Sequence, residues 1–311
     1  MLRELRAADS ERVIAFLLSE FPQEEALLGS RPEEFRKIIR KTFQWNYRLL
    51  MGFAAAIGRP FVRFLVVEAD GKIVGTTLVS FPPRAGYLSM VVVDPAYRGR
   101  GFARKLLERA REVTVKRGRP YCVLDVLDSN APARKLYDTS GYLKLRGVGF
   151  YVHEAPAALL PFTPPPAVRR FEPRDVEPIL AISRQVTPAK VQEVLPTSKQ
   201  ALRPPAFVGR LFGTEEAAWV VDRGHGPEGF VDASVSPATE AAHLSNPILS
   251  SSLPPDLGVA LVRTATAWAA ERKAPRVVSQ VPEEPAANRA AVEAVGFRHA
   301  IAISTLYRPI G

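Results

Sequence analysis

The sequence predicts an α/β (α+β) fold present twice in tandem, each copy a mixed central sheet flanked by helices. Three observations predict it. Segments with the apolar period of strands and of helices alternate through the first half, with crossovers between strands, which gives a layered sheet. Five prolines fall within the twelve residues from Ala155 to Pro166, near the middle of the chain. Beyond them the landmarks of the first half return in the same order, the mark of an internal duplication.

In chain order, residues 2–6 are a short strand candidate. Ala8-Asp9-Ser10-Glu11 opens a helix that runs to Phe21, with Asp9 or Ser10 as its cap. A longer helical region spans 32–56, where Phe35, Ile38, Ile39, Phe43, Tyr47 and Leu50 stand near helical spacing. Residues 62–70 and 72–80 form a hairpin around Asp70-Gly71, a favoured tight-turn pair. Residues 87–93 are the next strand. Residues 101–117 are a helix with the apolar stripe Phe102, Leu106, Leu107, Ala110 and Val113, stopped by Gly118. A strand at 120–127, a helix at 131–140 and a closing pair of strands at 142–153 complete the first copy.

The Pro-rich segment 155–167 reads as a stiff extended linker between a domain at 1–154 and a second at 168–311. Val168-Arg-Arg-Phe171 matches the opening strand, and Trp219-Val-Val-Asp222 lies over Leu65-Val-Val-Glu68. Gly296-Phe297 lies over Gly141-Tyr142, after a helix that bears Asn288.

Composition narrows the function classes. No apolar run approaches the roughly 20 residues of a membrane helix, and Met-Leu-Arg-Glu-Leu-Arg has no signal-like apolar core. A soluble, cytoplasmic protein without membrane contact is expected, as monomer or homodimer. Cys122 stands alone in an apolar strand and reads as a core residue. The four His, at 153, 225, 243 and 299, show no metal-ligand spacing, so no metal is expected. The net charge of +10 resides in the first half: 26 Lys+Arg face 16 Asp+Glu through His153, and the remainder balances at 16 of each. Its arginines are scattered rather than run together with aromatics, which argues against nucleic acid and for an anionic small molecule.

One stretch locates that anion. Val91-Val-Val-Asp-Pro-Ala-Tyr-Arg-Gly-Arg-Gly-Phe-Ala-Arg104 is a buried strand, a turn and a helix start. Amides at such a junction point outward without partners, and the helix dipole adds partial positive charge. Arg98, Arg100 and Arg104 add permanent charge, while Gly99 and Gly101 let the main chain approach a ligand. Neither a Walker loop nor a dinucleotide fingerprint is present.

Arg98-x-x-Gly101-x-Ala103, followed by Asn130-x-x-Ala133-x-x-Leu136-Tyr137-x-x-x-Gly141-Tyr142, resembles the GNAT family of N-acetyltransferases. The resemblance implies two GNAT-like acyl-CoA N-acyltransferase domains, the first of them catalytic, with acetyl-CoA as co-substrate between two splayed parallel strands. It implies that the pantetheine arm pairs with the main chain of Val91, Val92 and Val93. The pyrophosphate then rests on the segment Gly99, Arg100, Gly101, Phe102, Ala103 and Arg104. Asn130 is similar to the family's Asn that holds the cofactor arm; it also suits a helix cap, and both roles can coexist.

The implied reaction is direct attack of a primary amine, of a small molecule or a peptide, on the thioester. Tyr137 matches the family's proton donor to the departing thiolate. For the base two carboxylates remain open. Leu124-Asp125-Val126 stands where the ribosomal-protein alanine N-acetyltransferase branch reads Leu-Glu-Val, so Asp125 could act through a water; Glu68, from a neighbouring strand, is the alternative. Ser89 is a polar contact, and Phe43, Trp45, Tyr47 and Arg48 are candidates for the acceptor wall. In the second copy Pro255 stands where Arg98 does and Asp256 near Gly99, and its last helix lacks the Leu-Tyr pair. That copy reads as degenerate, with a structural or acceptor-shaping role. A non-catalytic acyl-CoA sensor or assembly module is the competing class.

Overall fold

The computed structural model describes residues 1–6, 9–20, 62–199, 202, 213–236 and 241–310. The expected helix at 32–56, and with it Phe43, Trp45, Tyr47 and Arg48, lies outside the described residues. The chain separates into two compact units, one of residues 1–144 with 305–311, the other of residues 145–304.

The first unit contains β1 (Leu2–Glu4), α1 (Ser10–Glu20), β2 (Val62–Ala69), β3 (Lys72–Ser80) and β4 (Ala85–Val93). It continues with α2 (Phe102–Lys116), β5 (Tyr121–Leu127) and α3 (Ala131–Asp138). Its sheet runs β1-β2-β3-β4-β5 and closes on residues 305–309, the end of the chain's last strand. β1 to β4 are antiparallel neighbours, while β4 and β5 are parallel. Asp70 (φ +50°) and Gly71 (φ +71°) make the β2–β3 turn, left-handed at both central positions as a twisted hairpin requires. Leu65, Val67, Leu88, Leu106, Leu107, Ala110 and Cys122 are buried between one face of the sheet and α2. Val13, Phe16 and Leu17 of α1 pack on Val66 and Ile73 of the other face.

After α3 comes one continuous strand, β6 (Leu143–His153), where a pair was expected. From Leu145 it belongs to the second unit. That unit adds β7 (Val168–Arg170), α4 (Val176–Val186), α5 (Ala189–Val194), β8 (Glu215–Asp222), β9 (Pro227–Val235), β10 (Ala241–Leu244) and β11 (Ile248–Leu249). It ends with α6 (Pro255–Glu271), β12 (Arg276–Pro282), α7 (Ala286–Val295) and the first part of β13 (Arg298–Pro309). β6 lies antiparallel to β12, from Val277↔His153 to Pro282↔Val148. The compact units therefore cut the chain elsewhere than at 154 and 168. Residues 145–153 of β6 thus belong to the second unit, and residues 305–309 of β13 to the first. The Pro-rich stretch is part of the second unit: Pro156–Leu159 is a 3-10 turn, and Leu159 packs on the core.

The duplication is visible in side chains as well as in strand order. Arg3 donates to both oxygens of Asp9 (2.6 and 3.0 Å) and pairs with Glu68 (3.0 Å), while the Arg6 amide donates to Asp9. In the second unit Arg169 donates to both oxygens of Asp175 (2.8 Å each) and to Asp222 (2.8 Å), while the Glu172 amide donates to Asp175. Each cluster ties the edge strand to the entry of the first helix and to the end of the second strand.

The Arg3 hydrogen bond, helped by the Arg6 amide, holds the Asp9 carboxyl down at about 2. A depressed carboxylate contributes stability that is fully present above its ordinary value near 3.8 and is lost as pH falls through about 2. Asp9→Asn is expected to lower the stability of the first unit by on the order of 1–2 kcal/mol at pH 7. The difference from the parent should shrink as pH falls from about 4 through 2 and be largely gone by about pH 1 in denaturant unfolding monitored across that range; a difference of unchanged size from pH 4 to pH 2 would contradict the assignment.

Candidate active site

The site begins where a ladder stops. β4 and β5 pair from Ala85↔Tyr121 to Leu88↔Leu124 and no further, although β4 continues to Val93 and β5 to Leu127. The cause lies on the other side of β4. Its register against β3 shifts between Leu78↔Ser89 and Thr76↔Val92, and Met90 takes φ +55°. One extra residue on β4 is a bulge, which bends the strand and re-aims its backbone. The Asp94 amide donates to Val74 of β3 (2.9 Å), so by alternation Val92 faces β3, whereas Val91 and Val93 face the gap. The Val93 carbonyl accepts from Arg98 Nε at 3.0 Å. The main chain of Val91 is thus presented as a free sheet edge within the gap.

Beyond the strand the anion loop is rigidly made. Asp94 accepts from the Ala96 amide (2.8 Å) and caps a 3-10 turn, Pro95–Tyr97. The Tyr97 hydroxyl donates to Asp70 at 3.0 Å, and Arg100 lies over the Tyr97 ring at 4.9 Å. Gly99 and Gly101 both have φ +77°, and Gly101 is the N-cap of α2 without a side-chain cap. The first helical bond is Lys105 N to Gly101 O (3.1 Å), which leaves the amides of Phe102, Ala103 and Arg104 without intrahelical acceptors. Arg104 donates to Thr139 at 3.2 Å, and all three arginines are exposed. Amides, dipole and guanidinium groups converge on one end of α2, and this donor set suits a pyrophosphate. Phe102 and Ala103 of α2 and Ala133 and Leu136 of α3 are half-buried beside it, an apolar lining suited to the rest of such a ligand.

The proposed reacting groups are distributed unevenly. Tyr137 is buried on α3, edge to face with Tyr142 at 5.8 Å, and burial pushes its hydroxyl up to about 12. Asp125 is exposed on β5, one residue past the last β4–β5 pair. It accepts a hydrogen bond from the Tyr87 hydroxyl of β4, a partner that an aromatic residue in a strand does not advertise in sequence. Glu68 is not at the gap: its carboxylate sits beside Arg3 and at 3.6 Å from Arg12. Asn130 caps α3 by accepting from the Ala133 amide (3.1 Å). Cys122 is buried, and burial pushes its thiol up. The Ser89 carbonyl accepts from Thr77.

Residues 24–142 match the model of the acetyltransferase (GNAT) family. The chain carries a GNAT acetyltransferase domain. Its whole length is similar in fold to a tandem GNAT protein from the clavulanic acid biosynthesis pathway, at 17% identity and a TM-score of 0.65, covering 100% of this chain and 98% of that one. A GCN5-related N-acetyltransferase from Sphaerobacter thermophilus is similar at 14% identity and a TM-score of 0.63, covering 99% and 95%. A putative acetyltransferase from Pyrococcus horikoshii is similar at 12% identity and a TM-score of 0.60, covering 100% and 89%. The fold is therefore GNAT-like along the full chain. No helix among the described residues is long and apolar enough to cross a membrane.

The corresponding region of the second unit is built differently. α6 begins at Pro254-Pro255-Asp256, without a glycine loop and with an acid in its first turn. α6 and α7 pack on each other, and a Cβ at Gly258 would lie 4.0 Å from that of Ala291. Asn288 of α7 donates to Asn246 (3.1 Å), which follows β10. Leu261, Val262, Ala291 and Val292 fill the space as one core.

Gly101 has open space where a Cβ would stand, so its requirement is the left-handed φ alone. Gly101→Ala is expected to cost about 1 kcal/mol of stability, and to misdirect the amides that follow. Thermal melting alongside phosphate-analogue binding checks this: unchanged binding would show that the loop tolerates a right-handed turn.

Proposed function

We propose that the protein is an acetyl-CoA-dependent N-acetyltransferase whose first unit transfers the acetyl group to a primary amine of a small molecule or peptide. The observation that carries this reading is the gap between β4 and β5, opened by the bulge at Met90 and ending at the uncapped N-terminus of α2. Val91 and Val93 present their main chain to the pantetheine arm as an added strand would. Amides and arginines from Arg98 to Arg104 receive the pyrophosphate. Asn130, which caps α3, holds the cofactor arm in this reading.

The amine nitrogen attacks the thioester carbon, the C–S bond breaks, and coenzyme A leaves as thiolate. Asp125, oriented by Tyr87, takes the surplus proton from the amine through a water. Tyr137 gives its proton, or a hydrogen bond, to the departing sulfur. At about 12, the Tyr137 hydroxyl remains protonated throughout the working range. Full transfer to a thiolate of ordinary pKa, ~8.5, would be uphill by about 5 kcal/mol, so its main contribution is a hydrogen bond that strengthens as charge develops on sulfur. Glu68, held by two arginines, has no part in this scheme. The second unit reads as a degenerate copy, since its loop offers proline and aspartate and its helices occupy the groove.

Calorimetric titration with acetyl-CoA should give one site per chain, abolished by Arg98→Glu. Two sites would refute the single working copy, and absence of binding would refute the transferase reading. Tyr137→Phe should lower kcat on the order of 100-fold with little change in acetyl-CoA affinity. Because its pKa is raised, the acid form should persist: kcat is expected to stay level between pH 8 and 10, where an unperturbed tyrosine near 10 would already have lost half its proton.

A further inference from the structure

In the second unit, edge strand β7, its neighbour β8 and the C-terminal half of α6 enclose a cleft of about 300 Å³. This lies at the lower end of the ~300–1,000 Å³ of small-molecule sites. Val168, Arg170, Trp219, Trp268 and Glu271 line it, and Phe162 and Pro164 of the Pro-rich stretch form its outer wall.

The cleft has an aromatic base and a cationic rim. Trp219 and Trp268, both buried, meet edge to face with centroids 5.7 Å apart and planes at 70°. Around them three guanidinium groups lie on ring faces: Arg170 on Trp219 at 4.5 Å, Arg263 on Phe162 at 4.8 Å, and Arg272 on Trp268 at 3.9 Å. Arg272 is neutralised by Glu215 at 2.8 Å, with Glu271 at 3.8 Å. Among the described residues neither Arg170 nor Arg263 has a carboxylate partner. Burial and the neighbouring charge of Arg272 pull Arg170 below its ordinary value, Glu271 offsetting part of this. A cation kept against an aromatic face, beside a second cation and without a carboxylate in ion-pair contact, gains from a bound anion.

The first copy shows that the fold does not require this arrangement. There the pair Glu4↔Leu65 stands where Arg170↔Trp219 stands in the second. Helix α2 carries Arg111 where α6 carries Trp268. The aromatic and cationic residues stand together in one copy, at one cleft.

We propose that this cleft binds a small organic carboxylate with an aromatic or similarly apolar body. The carboxylate rests on Arg170, whose planar fork matches it, and the body lies against Val168, Pro164, Ala267 and the indole edges. The inference is independent of acetyl transfer and needs no acetyl-CoA.

The test uses the full chain with Trp45→Phe, so that emission reports Trp219 and Trp268. Phenylacetate is the probe; phenylacetamide, of the same shape without charge, and acetate, of the same charge without the ring, are the controls. Phenylacetate should change the emission saturably at millimolar concentration or below, and both controls should bind at least about tenfold more weakly. Arg170→Gln should weaken phenylacetate by about tenfold. If that variant melts early, Ala267→Val, which narrows the cleft without altering charge, should weaken it comparably. Equal binding of acid and amide, indifference to both substitutions, or no saturable response at millimolar probe would each overturn the proposal.

Discussion

The first unit depends on a ladder that is broken on purpose at one residue. A parallel pair deep in a sheet normally continues to the end of the shorter strand, because unpaired backbone groups there are costly. β4 and β5 part after Leu88 and Leu124 because Met90 adds a residue to β4 against β3. Close packing fixes the bend. A Cβ at Gly75 would meet the Val92 carbonyl at 3.1 Å, and one at Gly86 would overlap the Thr114 hydroxyl at 2.1 Å. β4 is thus held tightly on β3 and on α2 and yields only towards β5. The gap opens at the carboxyl ends of the two parallel strands, where the following helix begins, the position in which open α/β sheets bind ligands.

The two copies separate what a fold needs from what a site needs. The cluster of one arginine and two carboxylates is reproduced at Arg3, Asp9 and Glu68 and at Arg169, Asp175 and Asp222. It joins elements far apart in sequence, so each copy retains it. The start of the long helix differs between the copies: Gly101 caps α2, whereas α6 begins at Pro254-Pro255 with Asp256 in its first turn, and Asn288 of α7 is bonded to Asn246. Conversely, the Trp219–Trp268 cleft exists where the first copy has Leu65 and Arg111. The two copies thus differ in these two regions while the ion cluster is the same in both.

Local signals in the sequence reached far. The Asp70-Gly71 hairpin, the helix starting after Gly101 and the capping role of Asn130 follow from turn chemistry and periodicity, and the structure has them. What escaped were choices between equivalent partners. Glu68 looks like a base from its strand position, yet Arg3 claims it from 65 residues away. Tyr87 looks like an ordinary strand aromatic until β5 brings Asp125 to its hydroxyl. Whether 145–153 closes the first sheet or the second cannot be read from an apolar pattern that both sheets would accept. The bulge at Met90 carries no glycine to announce its positive φ, so the opening of the gap is visible only in the register.

In the proposed reaction, the surroundings of Tyr137 would set both sides of a proton exchange. Its hydroxyl is pushed up to about 12 because the phenolate would lose water among apolar neighbours. A thiolate leaving into the same groove would lose water too, so its own affinity for a proton rises with that of the phenol. The gap between donor and acceptor therefore depends less on burial than their separate values in water suggest. What burial adds is strength to the O–H···S contact as the charge appears, since little solvent competes for it. In the proposed reaction a buried, protonated phenol favours the state in which sulfur is negative, without the tyrosine ever having to ionise.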